Sequence, residues 1–559
     1  MTRITIPLIA SLLFLCLSCG KDNITEGTSS AQDTDTGYDS SDFTTNVTIQ
    51  FSSSGNAIVT GTSDSIKATI NGNGVTIVNL SQSNIQYTVS GTTSNGYLKI
   101  YSSKKQSLIL DGASITNPDG AAINIQGGLV DGELTTSGKT AYVVVSGSNR
   151  LADGSTYSAT PSNEDEKAAL FCEGKLLLSG NGDLTVTAIG KAGIASDDYI
   201  GISDNVKISI TSTAGHGLRS NDSVVLAGGT LDITVSANGK KGISTDGPCT
   251  VRGGTTTVTT TGSTVVESGD TSKVACLKCD GDFTITGGSL TLSASGTGAK
   301  GLSADGMGLF HGGTVTVSAT GSNYGSSSGG GHGGHGGGWG SSNSVASKGI
   351  KCEGNITITD GSTVMVTSAT HEGIETKGTL SISGGHVYSH STGDDAINSA
   401  GVMTISGGHV CGWSDNNDGL DANDNLTISG GVVYAICTCG DPEVAIDALE
   451  QRTLTISGGI LIAIGKLERG ASLTQTCYQA SSVSSNSWYT MTVGGTSYAF
   501  KTPSGGSPLV LSGPSQPTLL KGASYSGGSE YFGGILLEGV SVSDGTGTSV
   551  TTSTYNSNR

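Results

Sequence analysis

Between residues 373 and 447 apolar and polar positions alternate with a period of two, and Gly-Gly interrupts the alternation at regular intervals. Leu380, Ile382 and Val387 alternate with Thr379, Ser381, His386 and Tyr388. Strands read this way, because successive side chains point to opposite faces. One phrase recurs: a small residue, an apolar residue, a short polar step, an alternating strand, then Gly-Gly. Its apolar residue is Ile374, Ile397, Leu420 and Ile446, at steps of 23, 23 and 26 residues. Upstream the same position is Leu170, Ile194, Leu218, Ile243, Leu277, Leu302 and Ile350, mostly at steps of 24 or 25. Two longer steps, 34 before Leu277 and 48 before Ile350, each contain an insertion. No unit carries helical periodicity. Strands joined by Gly and Asn/Asp turns at this repeat length predict an all-β solenoid, a parallel β-helix with coils of ~24 residues. Like positions on successive coils then stack about 4.8 Å apart.

The register carries its own check. Two residues after the repeated apolar position the occupants are Cys172, Ser196, Ser220, Thr245, Cys279, Ala304, Cys352, Thr376, Ser399, Ala422 and Ala448. All are small, as a tight inward corner requires. Cys172, Cys279 and Cys352 thus read as core thiols and not as ligands.

The rest of the chain divides around this array. Residues 1–18 hold Arg3, an apolar run over 9–17 and Ser18-Cys19-Gly20, which is a secretory signal. The small residue before Cys19 resembles a bacterial lipobox, so Cys19 is expected to be lipidated, although Cys16 stands where such boxes carry Leu. This predicts an exported protein, lipid-anchored at the outer membrane or cell surface, with simple secretion as the alternative. Residues 19–46 read as a flexible tether. Residues 47–469 read as the β-helix, with 47–147 as irregular first coils and 146–167 as a loop before the first clean repeat. Residues 320–347 form a Gly/His/Ser-rich excursion between two coils, in which His332 and His335 are held by nothing. After Ile464 the period stops, and 470–559 read as antiparallel strands that cap the C-terminal end.

Composition narrows the function classes. The 559 residues include 88 Gly and 9 Pro, 13% are charged, and the formal net charge is −18. The chain is too polar for a helical membrane protein and too regular for disorder. Its acidity excludes phosphate-rich partners such as nucleic acid. It suits cations and neutral glycans, and an acidic glycan would need a bridging cation. Without Cys16 and Cys19, nine of 11 cysteines remain, an odd number with no disulfide framework. Cys276 and Cys279 form a CxxC with no second pair or His cluster, so no zinc site is expected.

One corner of the last coils could carry chemistry. Two residues before the repeated apolar position stand Glu372, Asp395, Asp418 and Val444, and one residue after it Glu375, Asn398, Asp421 and Asp447. Earlier coils have Lys241, Ala275, Lys300 and Lys348 at the first of these places. Carboxylates stacked roughly 5 Å apart repel one another. A hard cation removes that penalty, and Ca2+ takes six to eight oxygens. GDDAIN and NNDGLD each offer several around one bend, so Asp394, Asp395, Asn398, Asn417, Asp418 and Asp421 lead the candidate ligands, with Glu372 and Glu375 beside them. The bland alternative is a solvated acidic corner that binds nothing. Outward positions after each Gly-Gly stack as His386/His409, Tyr388/Cys411/Tyr434 and His390/Trp413. Aromatic faces on a rigid sheet suit the apolar face of a sugar ring, which makes Tyr388, His390, Trp413 and Tyr434 the candidate glycan contacts.

The phrases KAGIASDD, KGISTDG, KGIKCEGNITI, GIETKGTLSISGG, GDDAINSAGVMTISGG and NDGLDANDNLTISGG resemble a family of secreted bacterial carbohydrate-binding proteins. The resemblance runs from about residue 47 to 545 and implies a right-handed parallel β-helix similar to calcium-dependent pectate lyases. It also implies Ca2+ and plant polysaccharides of the cellulose or polygalacturonate type as ligands. In those lyases an Asp-Asp-x-x-Asp motif and an Asp one coil earlier hold the catalytic calcium. Here Asp394, Asp395 and Asn398 match the motif, with His371 and Glu372 one coil earlier, so the last Asp has become Asn. The lyases also need a Lys or Arg base, and Lys351 and Lys377 are near in sequence only. The expectation is therefore a monomeric calcium-binding carbohydrate-binding protein without catalytic residues. The alternatives are a calcium-dependent lyase working by β-elimination and an adhesive solenoid with no glycan.

Overall fold

The computed structural model describes residues 37–130, 133–135, 139–158, 164–267, 270–325, 344–480 and 483–557. The expected signal, Cys19, most of the tether, and His332 and His335 lie outside these. Ser40–Arg559 forms one compact unit, and its strands begin with Thr45–Phe51.

The repeated apolar position forms an unbroken parallel ladder. Leu170, Ile194, Leu218, Ile243, Leu277 and Leu302 pair in turn. Ile350, Ile374, Ile397, Leu420 and Ile446 continue it. Upstream the ladder reaches Ile123, Leu98 and Val75. The small residues two positions on, from Cys172 to Ala448, are all buried.

Two further parallel ladders complete each turn of chain. The second runs through Leu176, Ile200, Val224 and Cys249 to Leu380, Met403, Leu426 and Leu454. The third runs through Leu184, Ile208 and Leu231 to Val387, Val410, Val433 and Leu461. Most strands turn Val, Ile or Leu inward and Thr or Ser outward, so one apolar core runs the length of the stack. The second Gly of each Gly-Gly needs a left-handed backbone: Gly408 has φ 78°, and a Cβ there would come within 2.7 Å of the Gly384 carbonyl carbon one coil below.

Edges and insertions are handled locally. The N-terminal edge is blunted by an antiparallel hairpin of Ile66–Asn71 with Asn73–Asn79. The long step before Leu277 is a hairpin of Val265–Glu267 with Asp270–Ser272. The excursion before Ile350 is closed at its root by a bridge from Tyr324 to Val345, and Leu302 pairs directly with Ile350.

Two expectations are corrected. The loop expected over 146–167 contains a strand, Ser148–Ala152, which joins the third ladder beside Asp183–Ala188. Its only large inward apolar residue is Leu151, with Asn149 taking the other inward place and accepting the Ala113 N–H at 2.8 Å. The stack also continues past Ile464. Leu467 bridges to Ile446, and Ser472–Leu473 pairs with the second ladder.

The remaining residues, the cap, pair mostly antiparallel. Leu509–Ser512 pairs with the last third-ladder strand, Ile460–Ile464. A six-stranded antiparallel sheet then forms around Trp488–Val493 and Thr496–Lys501. This sheet also lies over the outward side of the third ladder. Tyr489, Met491, Phe500 and Leu536 pack on Cys411, Tyr434, Ile436 and Ile462.

Candidate functional site

The acidic corner is the bend that leads from a third-ladder strand into the next first-ladder strand. His386–Ser391 leads to Ile397–Ser399, and His409–Ser414 to Leu420–Ala422. The bends are tied coil to coil through their backbones. Gly373 N–H donates to Asp395 O at 3.1 Å, and Ala396 N–H to Asp418 O at 3.0 Å. Side chains therefore fall into columns. One column is Lys351, Glu375, Asn398, Asp421 and Asp447. The bridge from Ile446 to Leu467 adds Glu468 to its end.

Charge divides the corner in two. At the basic-to-acidic junction Lys348 is buried and its Nζ contacts Glu372 Oε1 at 2.8 Å and Glu375 Oε2 at 2.5 Å. Lys377 takes the other Glu375 oxygen, and His371 Nδ1 the other Glu372 oxygen. Burial opposes ionisation of Glu375, but the two lysines hold it below the usual range. Glu372 and Glu375, named among the candidate ligands, have their oxygens engaged by ammonium and imidazole. Asp394 is compensated as well. Burial raises it, but His371 at 3.0 Å and the Asn417 amide at 2.7 Å bring it below the usual carboxylate range.

The second half has no such partners. Among the described residues no basic side chain is paired with Asp395, Asp418 or Asp421, and all three are buried. Burial first, then Asp421, Asp394 and Asp418, push Asp395 well above the usual range. Asp418 is pushed up to about 9, mainly by burial and then by Asp447 and Asp421, against the opposing Val444 N–H at 2.5 Å. Asp421 rises to about 7 through burial and Asp447, and Glu468 to about 8 through burial and its hydrogen bond with Asp447. Asn398 Nδ2 joins the set, donating to Asp395 Oδ2 and Asp421 Oδ2 at 2.8 Å each.

Asp418, Asp421 and Asp447 each place a carboxylate oxygen within 4.8 Å of the others. The donors are all oxygens and carry excess negative charge, which fits a hard cation and no soft one. Two other groups of this size hold a base. His371 bonds both Glu372 and Asp394 in one, and in the other Lys167 bridges Asp165 at 2.8 Å and Asp197 at 2.7 Å, with Glu173 beside them raised to about 7 by burial and by Asp197. The expected ligand set omitted Asp447 and Glu468. Asp447 followed from the register, and Leu467-Glu468 repeats the phrase Ile446-Asp447.

The aromatic positions separate. The His390 and Trp413 rings lie 4.7 Å apart, tilted by 36°, and both hold Asp415, at 3.0 and 2.9 Å. Tyr388 is half-buried and lies parallel to Phe532 of the cap at 6.0 Å. Tyr434 is completely buried, with its hydroxyl donating to Lys501 O at 2.6 Å, so the cap removes it from the expected glycan platform. Where the cap ends, Tyr531 stacks on His409 at 3.7 Å. A cleft of about 270 Å³ opens beside it, lined by Met365, His386, Tyr388, Glu530, Tyr531 and Phe532 among others. Of the two lysines near the corner in sequence, Lys351 is paired with Glu353 at 2.6 Å and Lys377 with Glu375.

A family model of carbohydrate-binding domain-containing proteins matches residues 71–396 and 335–498, which together span most of the ladders, the corner and the first cap hairpin. The chain belongs to that family. The second match covers the acidic corner, the His390/Trp413 pair and Tyr388. No curated protein matches this family member. Among solved structures, the polysaccharide lyase-like protein from C. thermocellum, as its gadolinium derivative, is similar at 21% identity. The similarity covers 44% of this chain and 93% of that one, with a TM-score of 0.33.

Proposed function

We propose that this member of the carbohydrate-binding family is a calcium-bearing, right-handed parallel β-helix that holds a polysaccharide of the cellulose or polygalacturonate type without cleaving it. The observation that carries the reading is the set of buried carboxylates Asp395, Asp418 and Asp421, with Asp447 beside them, to which the described residues supply no basic partner. Buried charge without compensation is costly in any fold. Ca2+ would neutralise the set through the oxygens of Asp395, Asp418, Asp421 and Asp447, supported by Asn398. When bound it supplies a positive centre that attracts uronate oxygens. His390 and Trp413 lie on the strands that enter this corner and offer their faces to a sugar ring.

Binding without cleavage is favoured by the basic residues. β-Elimination needs a base within reach of the sugar proton, and both Lys351 and Lys377 are engaged by carboxylates. The test is electrophoresis through gels containing polygalacturonate or soluble cellulose ethers, in calcium and in chelator, with ultraviolet absorbance followed for unsaturated ends. Retarded migration in calcium, lost or weakened in chelator for polygalacturonate, with flat absorbance is the expected result. Rising absorbance would make the protein a lyase. Unretarded migration in every gel would leave an adhesive solenoid.

A further inference from the structure

The outward side of the third ladder changes character along the stack. One outward column passes Thr257, Thr291 and Thr316, then Met365, Tyr388, Cys411, Tyr434 and Ile462. Its threonines are partly exposed, Met365 and Tyr388 are half-buried, and Cys411 and Tyr434 are covered by the cap. The cap reaches over the coil of Tyr388, and its turn at Tyr531–Gly534 makes a ledge there. Phe532 is buried with φ 58°, a left-handed value that bulky residues rarely adopt. That turn seats Phe532 on Tyr388 while Tyr531 stacks on His409.

We propose that the cleft under this ledge is a subsite for one neutral sugar ring, and that it works without calcium. This deepens the reading of the protein as a glycan binder and rests on it. The cleft's volume, about 270 Å³, lies at the small end for ligand sites, room for one ring and not for a branched segment. Its walls are a thioether and aromatic faces from Met365, Tyr388, Tyr531 and Phe532, the surfaces on which the C–H face of a pyranose packs. Charge decides between sugars. Glu530 lines the cleft. A carboxylate accepts hydrogen bonds from sugar hydroxyls, but it repels a uronate. The uncharged threonine column leading in gives the rest of a neutral chain a hydroxyl-rich track. The cleft thus selects neutral glycans, while an acidic glycan depends on the calcium corner.

The experiment titrates the full chain in chelator with the neutral tetrasaccharides of β-1,4-glucose, -mannose and -xylose and with tetragalacturonate, by calorimetry. At least one neutral tetrasaccharide is expected to bind, and tetragalacturonate is not. Tyr531→Ala and, independently, exposed His386→Ala should each weaken the neutral ligand, the first at least tenfold, with far-ultraviolet dichroism unchanged. No neutral ligand bound in chelator, or affinity unchanged in both variants, overturns the proposal. Calcium-dependent retention by polygalacturonate gels, measured on the same samples, separates the outcomes. If retention persists while the neutral arm fails, the cleft is wrong and the glycan-binding reading stands. If both fail, both are wrong.

Discussion

Asp418 keeps a carboxyl where burial, Asp447 and Asp421 all oppose its ionisation, and where, among the described residues, the Val444 N–H is the donor that opposes them. Its folded pKa near 9 stands above an unfolded value of about 3.9. A raised folded pKa means that the folded state holds the proton longer. Its contribution to stability is present below about pH 4 and is lost as pH rises toward 9. Asp421, raised to about 7, adds to the loss in the same direction. Asp418→Asn removes the titration and keeps an oxygen for Val444. In chelator the variant should match the parent near pH 4 and exceed it by ~1 kcal/mol or more at pH 8, as read by denaturant unfolding at each pH. A gap that does not change with pH would count against buried, uncompensated charge at this residue. Tyr434 gives the opposite lesson at the same scale. It continues the outward register of Tyr388 and Cys411, so strand periodicity marks it as exposed. The sheet that buries it begins some fifty residues downstream, and nothing periodic links the two.

At the scale of elements, the ladders were legible because the same three constraints recur on most coils: an apolar residue inward, a small residue at the corner, and glycine where φ is positive, with Asp204 in that place on the coil of Ile194. Each of the eleven repeated apolar positions pairs with its expected neighbour. Strands escaped where the constraint weakens. Ser148–Ala152 has Asn149 at an inward place, and the turn of chain at Leu467 lacks the Gly-Gly phrase. The column of corner charges was legible too, but not the cation already between two of its members. Lys348 reaches from its own coil to Glu372 and Glu375 on the next, with all three side chains nearly inaccessible. Removing one partner of such a cluster leaves buried charge behind. Lys348→Met should therefore lower unfolding stability by about 3 kcal/mol, as measured by urea denaturation. A loss below ~1 kcal/mol would place these contacts with exposed pairs of little consequence.

At the scale of the molecule, three ladders share one core, and the cap does two things to them. It pairs with Ile460–Ile464, the last third-ladder strand, and it lies over the outward aromatic column as far as Tyr388. The acidic corner lies on the bends between ladders, where we propose that its charge is left to a cation. The central claim is that this cation is calcium, held by Asp418 and its neighbours. The direct measurement is calorimetric titration of calcium into the chelator-stripped full chain and into Asp418→Asn/Asp421→Asn at pH 7.5. Saturable binding by the parent, weakened at least tenfold in the double variant, is the predicted result. Only heat of dilution from the folded parent, or equal binding by both proteins, would contradict the account.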